Sequence, residues 1–151
     1  MAGRDVWVKI MDNNLSAASE HRGKIGFIFP ATRDKNGNAI PVLNIFSQSQ
    51  SISLLMCSAF MDLNAGSSYL VSMSLKSPSG VELMAANNLD GIPPEQIHPV
   101  ARTTFLSAGL DFKASESGIY TYSCELIEMM QTTVDKKDIS FNILLDSDKH
   151  G

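Results

Sequence analysis

Residues 69–80 read YLVSMSLKSPSG, and this stretch indicates the fold class more clearly than any other part of the chain. Its apolar side chains alternate with small or polar ones, and the apolar set is Tyr69, Val71, Met73 and Leu75. An alternation of period two is typical of a β-strand that buries one face. The next four residues, Ser77-Pro78-Ser79-Gly80, have the composition of a tight turn. The stretch therefore predicts a strand over Tyr69–Lys76 that turns back on itself.

Short apolar segments of the same kind recur along the chain between clusters of Gly, Pro, Asn and Ser. They predict further strands over Val6–Met11, Lys24–Phe29, Ile40–Phe46, Ile52–Phe60, Val81–Ala85, Thr103–Phe105, Leu110–Ala114, Tyr120–Leu126 and Ile139–Leu145. The second and third of these flank Asn36-Gly37, which supplies the positive φ angles of a hairpin turn. The segment Cys124–Gln131 fits either a continued strand or a helical turn, because it contains several good helix formers.

The prolines between Asn87 and Pro99 predict a long irregular connection from one sheet to another, with a short helical turn over Glu95–His98. A second helical turn is expected over Leu15–Glu20. Together these elements predict an all-β antiparallel sandwich of about eight to ten strands. We expect one domain over residues 1–151, with 146–151 as a flexible tail.

A more specific feature is the stretch ESGIYTYSCEL over residues 116–126. Glu116, Gly118 and Tyr120 in this order resemble the corner of immunoglobulin-like sandwiches, where a Tyr near the start of a strand bonds back to the backbone. The resemblance implies an immunoglobulin-like sandwich with these three residues as a structural corner. Tyr122 stands where antibody-type domains have a Cys, so the resemblance is to the sandwich rather than to a true immunoglobulin domain.

A second resemblance covers more of the chain. The order and spacing of YLVSMSLKSPSG (69–80), ESGIYTYSCEL (116–126) and ISFNILL (139–145) are similar to those of small uncharacterised bacterial and phage-borne β-sandwich proteins. This resemblance implies a fold and no activity.

Composition excludes several other classes. The chain is 44% hydrophobic and 19% charged, with a formal net charge of -4. These values exclude a disordered, collagenous or disulfide-scaffold protein. A negative net charge argues against binding nucleic acid or anionic membranes, since such surfaces need clustered Lys and Arg. The sequence contains no run of about 20 apolar residues and no signal-peptide core, so we expect a cytoplasmic protein.

Candidate catalytic or metal-binding residues are few. Asp90, Glu95 and His98 fall in one predicted loop and could converge on a metal or a proton, although solvation of an exposed loop is the more common role of such residues. Asp34, Asn36 and Asn38 have the spacing of a calcium loop. That loop lacks the Gly and the bidentate Glu which calcium binding requires, so a hairpin turn is the better interpretation. No cofactor is predicted.

The two cysteines, Cys57 and Cys124, are interpreted as buried thiols acting as small hydrophobic residues. A disulfide between facing strands is the alternative. Met129 and Met130 are adjacent, and strand alternation would send one to each face of a sheet. Because exposed Met suits adaptable protein contacts, Ile127, Met129 and Met130 form the predicted interface.

Three hypotheses for the function remain. The first is a non-enzymatic protein-binding module, such as a bacterial or phage accessory, immunity or inhibitor protein, without nucleic-acid or membrane partners. The second is a small-ligand-binding protein or enzyme with a site around Asp90, Glu95 and His98. The third is a structural homo-oligomer in which strand edges, such as Ile139–Leu145 or Val6–Met11, pair between copies.

Overall fold

The computed structural model describes residues 20–84 and 89–146. These residues form nine strands and one 3-10 turn at Pro94–Gln96. The strands are β1 Lys24–Arg33, β2 Ala39–Pro41, β3 Asn44–Ser47, β4 Ser51–Met61, β5 Tyr69–Lys76, β6 Leu89–Ile92, β7 Thr104–Lys113, β8 Gly118–Glu128 and β9 Thr132–Leu145. The predicted strand Val6–Met11, residues 15–19 of the predicted helical turn and residues 147–151 of the predicted tail lie outside the described residues.

The strands form two packed sheets, in the orders β2-β1-β4-β7 and β3-β9-β8-β5-β6. The prediction of an immunoglobulin-like β-sandwich is confirmed. All neighbouring strands are antiparallel except β3 and β9, which pair in parallel from Asn44↔Asn142 to Ser47↔Leu145. The chain therefore changes sheet within the predicted strand Ile40–Phe46, which is two short strands rather than one.

The first predicted hairpin is present and joins β1 to β2, with Arg33 opposite Ala39. Asp34 fixes the turn, because its Oδ1 accepts hydrogen bonds from the backbone N–H groups of Asn36 (2.8 Å) and Asn38 (2.9 Å). Gly37 has a φ of +82°, the left-handed conformation for which glycine is favoured. The oxygen-rich loop that resembles a calcium site is thus a turn, stabilised by hydrogen bonds from its own backbone N–H groups to the Asp34 carboxylate.

Several strand boundaries differ from the prediction. The two predicted strands Thr103–Phe105 and Leu110–Ala114 belong to one strand, β7. The predicted irregular connection contains strand β6, so the crossing between sheets begins only after Ile92. The predicted return strand Val81–Ala85 is reduced, over its described part, to a single bridge between Lys76 and Glu82. The open segment Cys124–Gln131 continues strand β8 to Glu128 and then turns.

One correction concerns the strand edges. Ile139–Leu145 lies within β9, which pairs with β8 on one side and with β3 on the other. Residues 142–145 are therefore interior and not free to pair with another copy, whereas residues 139–141 pair with β8 on one side only. Over the described residues, the edges are β2 and β7 in the four-stranded sheet and β3 and β6 in the five-stranded sheet.

The core lies between the sheets and is built from one side of each strand. Its largest members are the buried rings and branched side chains of Phe60, Tyr69, Leu75, Tyr120, Tyr122, Leu126, Phe141 and Ile143. Tyr120 closes the predicted corner, since its hydroxyl donates a 2.6 Å hydrogen bond to the backbone oxygen of Glu116. Glu116 also accepts a hydrogen bond from Ser79 in the turn after β5. The corner thus connects β8 to the β5 turn.

Candidate protein-binding surfaces

The residues of the predicted loop site have separate local roles. Asp90 lies on edge strand β6, and its Oδ1 accepts a hydrogen bond from the N–H of Gly91. Glu95 is exposed in the 3-10 turn. The Nδ1 atom of His98 accepts hydrogen bonds from the N–H groups of Val100 (3.2 Å) and Ala101 (2.9 Å), which stabilises the turn that leads into β7. Within residues 20–84 and 89–146, no group of three His, Cys, Asp or Glu side chains is placed to hold a metal ion.

The cysteines are both free and buried, but they lie in different sheets and in different apolar clusters: Cys57 is on β4 and Cys124 is on β8. Cys124 is part of the core between the sheets, where burial raises the pKa of its thiol to about 12. Cys57 belongs to a second, smaller apolar cluster with Ala31, Leu55 and Phe29. The alternative of a disulfide between facing strands is therefore wrong.

The predicted interface at Ile127, Met129 and Met130 lies at the tip of the β8–β9 hairpin. Met129 and Met130 are the two central residues of its turn, and the N–H of Gln131 bonds to the backbone oxygen of Glu128 (3.1 Å). Both Met side chains are exposed, whereas Ile127 is half-buried on β8. The expectation that strand alternation sends the two Met side chains to opposite faces is wrong, because the strand ends at Glu128.

The backbone of this turn is unusual for its sequence. Met129 and Met130 have φ angles of 54° and 62°, the left-handed values of the central residues of a type I′ β-turn, here within a three-residue loop between Glu128 and Thr132. Such turns favour Asn-Gly, because a side chain with a Cβ crowds the backbone at positive φ. The chain therefore carries two strained residues at an exposed tip.

Replacing Met129-Met130 with Asn-Gly should raise the free energy of unfolding by about 1–2 kcal/mol, because it relieves the left-handed strain at two positions. Chemical denaturation of the double variant measures the gain. The matched control is Met61→Asn, an exposed Met at the end of β4, for which we expect no gain. An unchanged or lower stability of the Asn-Gly variant would show that the two Met side chains contribute contacts that outweigh the strain.

Beside this turn lies a buried polar cluster that the sequence analysis missed. Glu128 is 1% exposed. Its carboxylate accepts hydrogen bonds from the N–H of Arg22 (2.7 Å) and the Nδ2 of Asn64 (2.7 Å), and it lies 3.3 Å from Nδ1 of His21. Tyr69 completes the cluster by donating to the backbone oxygen of Arg22 and accepting from the N–H of Asn64.

The electrostatics of Glu128 follow from these bonds. Burial by itself would raise the pKa of the carboxyl group, but hydrogen bonds from Asn64, the Arg22 backbone and Ser67, together with the charge of His21, lower it below the ordinary value. Glu128 is therefore a charged group whose role is to join the start of β1, the loop after β4 and the end of β8. Outside the cluster, Asp62 pairs with the side chains of Arg22 (2.5 Å) and Arg102 (3.1 Å).

The outer face of the four-stranded sheet is largely apolar. Strand pairing places its outward residues in three rows across β1, β4 and β7: Phe27, Ala59 and Phe105; Phe29, Cys57 and Ser107; and Ala31, Leu55 and Gly109. A last row consists of the pair Ser53 and Asp111 together with Arg33, and all three line one depression. We call this surface the aromatic face. Only its last row carries charge.

Three rings dominate one end of the aromatic face. Phe27 stacks with Phe29 at a centroid distance of 6.1 Å and meets Phe105 edge-on at 5.8 Å. Phe27 is 46% exposed and Phe105 is 67% exposed, although aromatic side chains of this size usually bury most of their surface. At the opposite end, the row of Arg33, Ser53 and Asp111 lines a shallow depression of about 360 Å³.

The outer face of the five-stranded sheet has the opposite character. Its central positions are Ser72 and Ser74 on β5, Ser123 and Glu125 on β8, and Lys136 and Asp138 on β9. A sandwich normally presents such polar faces to water. The contrast between the two outer faces indicates that the aromatic face is adapted to a different contact.

No protein-family model matches this sequence, and no curated protein matches it. Among solved structures, the C-terminal domain of wzt is 12% identical with a TM-score of 0.49, and the match covers 83% of this chain and 75% of that one. The periplasmic chaperone SfaE is 12% identical with a TM-score of 0.43, over 83% of this chain and 58% of its own. A candidate beta-galactosidase from Bacteroides fragilis is 11% identical with a TM-score of 0.48; this chain spans 15% of its length. These similarities concern the fold alone.

Within residues 20–84 and 89–146, no helix is long and apolar enough to cross a membrane.

Proposed function

We propose that this chain is a non-enzymatic protein-binding module that binds its partner through the aromatic face. The observation that carries the proposal is the ring cluster of the exposed Phe27 and Phe105 with the partly buried Phe29 on the outer side of a sheet. Exposed aromatic side chains that cluster on an otherwise apolar surface are typical of protein interfaces, where they bury a large area at a low entropic cost.

The neighbouring residues support this proposal. Ala31, Leu55 and Cys57, which lie beside the rings on the same side of the sheet, are buried and pack with Phe29, so Phe27 and Phe105 project from a well-packed base. The charged row of Arg33 and Asp111 lies at one margin, which corresponds to the polar rim of an interface. The exposed Met129-Met130 turn, which the sequence predicts as an interface, is a second and smaller contact surface of the same module.

Replacing Phe105 with Ser should reduce capture of the partner at least about tenfold, because a few large side chains supply most of the binding energy of an interface and Phe105 is the most exposed ring of this cluster. Purified, tagged chain would be incubated with lysate of its native host, and cross-linked proteins would be quantified by mass spectrometry. The matched control is Val100→Ser, which removes an even more exposed apolar side chain (84% against 67% for Phe105) from the loop before β7. Thermal unfolding of both variants should match the wild type. Equal capture by the Phe105 variant would exclude the aromatic face.

We further propose a role as a bacterial or phage accessory, immunity or inhibitor protein, and a cytoplasmic location. The identity of the captured protein tests both. The alternative of an enzyme or small-ligand site around Asp90, Glu95 and His98 also stays a prediction. Its observable consequence is loss of function in a Glu95 and His98 double alanine variant that retains normal capture.

A further inference from the structure

We infer that residues 6–11 of this chain, which read VWVKIM, fold back over the aromatic face and cover its centre around Leu55. These residues precede the described part of the chain, which begins at Glu20. The proposed function does not depend on this cover, because the exposed rings of Phe27 and Phe105 lie in the end row of the face, outside the covered part.

The centre of the aromatic face is buried although it lies on the outer side of the sandwich. Ala31 is 0%, Cys57 5% and Leu55 9% exposed, and the three form an apolar cluster separate from the core between the sheets. In the same rows, the β7 positions Ser107 and Gly109 are exposed. The burial is therefore confined to β1 and β4 and does not extend across the whole sheet.

The neighbours of Leu55 on this face are too small to account for its burial. Leu55 pairs with Ala31 on β1 and with Gly109 on β7, and the residues two positions away on β4 are a serine and a cysteine. A leucine side chain that stands on a sheet rises above side chains of this size. Among the described residues, Phe29 packs against the cluster from a position diagonal to Leu55. One diagonal ring covers only part of a leucine, so a further group lies above Leu55.

Three parts of the chain lie outside the described ranges and could supply this group. Residues 85–88 read AANN and residues 147–151 read SDKHG, so neither part carries a large apolar side chain. In residues 6–11, every position except Lys9 is apolar. Because removing apolar side chains from water is favourable, residues 6–11 are the part that matches an apolar cluster.

The connection to β1 is long enough for this cover. Glu20 lies near the end of β4, since its backbone oxygen accepts a 2.7 Å hydrogen bond from Nδ2 of Asn64. Leu55 is six residues from the end of β4 at Met61, which is about 20 Å along the strand. Residues 12–19 span about 26 Å when extended, so residues 6–11 can reach the row of Leu55.

The alternation of the segment gives it one side that fits the cluster. Val6, Val8 and Ile10 share one side of the predicted strand, and Lys9 lies on the other. Placing the first side on the sheet buries three branched apolar side chains, while the ammonium group of Lys9 stays in water.

The thiol of Cys57 reports this cover, and the thiol of Cys124 is a reference in the same molecule. Alkylation of the full chain by N-ethylmaleimide under native conditions, followed by peptide mass spectrometry, measures both rates. In the wild type both thiols should react slowly, because both are buried. In the double variant Val8→Asp with Ile10→Asp, Cys57 should react at least about tenfold faster, because two carboxylates would not stay against an apolar cluster. Cys124 should keep its wild-type rate, since it lies between the sheets.

Lys9→Asp is the matched control, because exchanging one Lys for Asp changes the net charge by the same amount as adding two Asp residues. This variant should leave the rate of Cys57 unchanged. An unchanged rate of Cys57 in the double variant overturns the inference, as does an equal acceleration by Lys9→Asp.

A milder pair of substitutions decides the case in which the double variant opens the core, so that Cys124 also reacts faster. Val8→Ala with Ile10→Ala must then accelerate Cys57 alone, and any other result overturns the inference. Both thiol rates are independent of partner capture, so a failure here leaves the proposed function to the test of Phe105.

Discussion

Replacing Glu128 with Ala should lower the free energy of unfolding by about 3 kcal/mol, the largest loss that we expect from a single polar side chain in this protein. The carboxylate accepts hydrogen bonds from the N–H of Arg22 and the side chain of Asn64 at the end of the sandwich. Without the carboxylate, the N–H of Arg22 and the Nδ2 of Asn64 lose their acceptor in a cluster that contains the buried Tyr69. The cost combines the lost charge-assisted bonds with the desolvation of the donors left behind.

Urea denaturation of three variants separates these contributions. Glu128→Gln keeps one acceptor and the volume of the side chain, so it should cost less than Glu128→Ala. Glu125→Ala is the matched control, because Glu125 lies on the same strand but on the outer face, where it accepts a hydrogen bond from Thr133. We expect the control to cost less than about 1 kcal/mol. A Glu128→Ala variant as stable as this control would show that the cluster contributes little.

The pH dependence gives an independent readout of the same residue. The folded protein lowers the pKa of Glu128 below its ordinary value of 4.5, so folding favours the charged form. The stabilisation from this shift is therefore fully present above about pH 4.5 and is lost as the pH falls through the lowered folded pKa. The stability of Glu128→Gln should fall less steeply than that of the wild type in this acidic range. Parallel curves would contradict the assignment.

The buried sides of the strands could be predicted from the sequence because alternation reports burial directly. In β5, Tyr69, Val71, Met73 and Leu75 all enter the core, as their spacing indicates. The corner at Tyr120 could also be predicted, because a Tyr at a fixed distance from a turn has a known local partner. In both cases the information lies within a few residues of chain.

The sequence predicts the bounds of a strand poorly where apolar and polar residues do not alternate. Ser107 and Gly109 interrupt β7 with small residues, so its two apolar ends were interpreted as separate strands. The first half of β9 is polar except for Val134, and its backbone pairs with β8, so no alternation of apolar residues marks it as a strand. In such segments the neighbouring strand supplies the hydrogen bonds that decide the structure, and sequence does not show this neighbour.

The aromatic face needed the pairing of distant strands before it could be recognised. Phe27 and Phe105 are 78 positions apart in the sequence and become neighbours only through β4. A signal was nevertheless present, because Phe27-Ile28-Phe29 and Leu54–Cys57 are apolar at every position. Continuous apolar strands indicate that both faces are covered. One face is covered by the core, and the other side is the proposed interface.

Replacing Gly118 with Ala should lower the free energy of unfolding by about 3 kcal/mol, since two costs combine at this position. Gly118 has a φ of +140°, which residues with a Cβ rarely adopt. An added Cβ would also lie 2.9 Å from Cγ and 3.1 Å from Cβ of Pro78, whose ring cannot rotate away. The corner of Tyr120 and the turn after β5 would have to separate.

A matched glycine distinguishes the two costs. Gly66 has a φ of +87° but no atom within 4 Å of an added Cβ, so Gly66→Ala measures the backbone strain alone, which we expect to be about 1 kcal/mol. Combining Gly118→Ala with Pro78→Ala should recover the part that is due to the contact with Cγ, because alanine lacks the ring but keeps the Cβ. Thermal and urea denaturation would provide the values. If Gly118→Ala were as mild as Gly66→Ala, the turn could move at no cost; the corner would then be held by Tyr120 and Glu116, without close packing against Pro78.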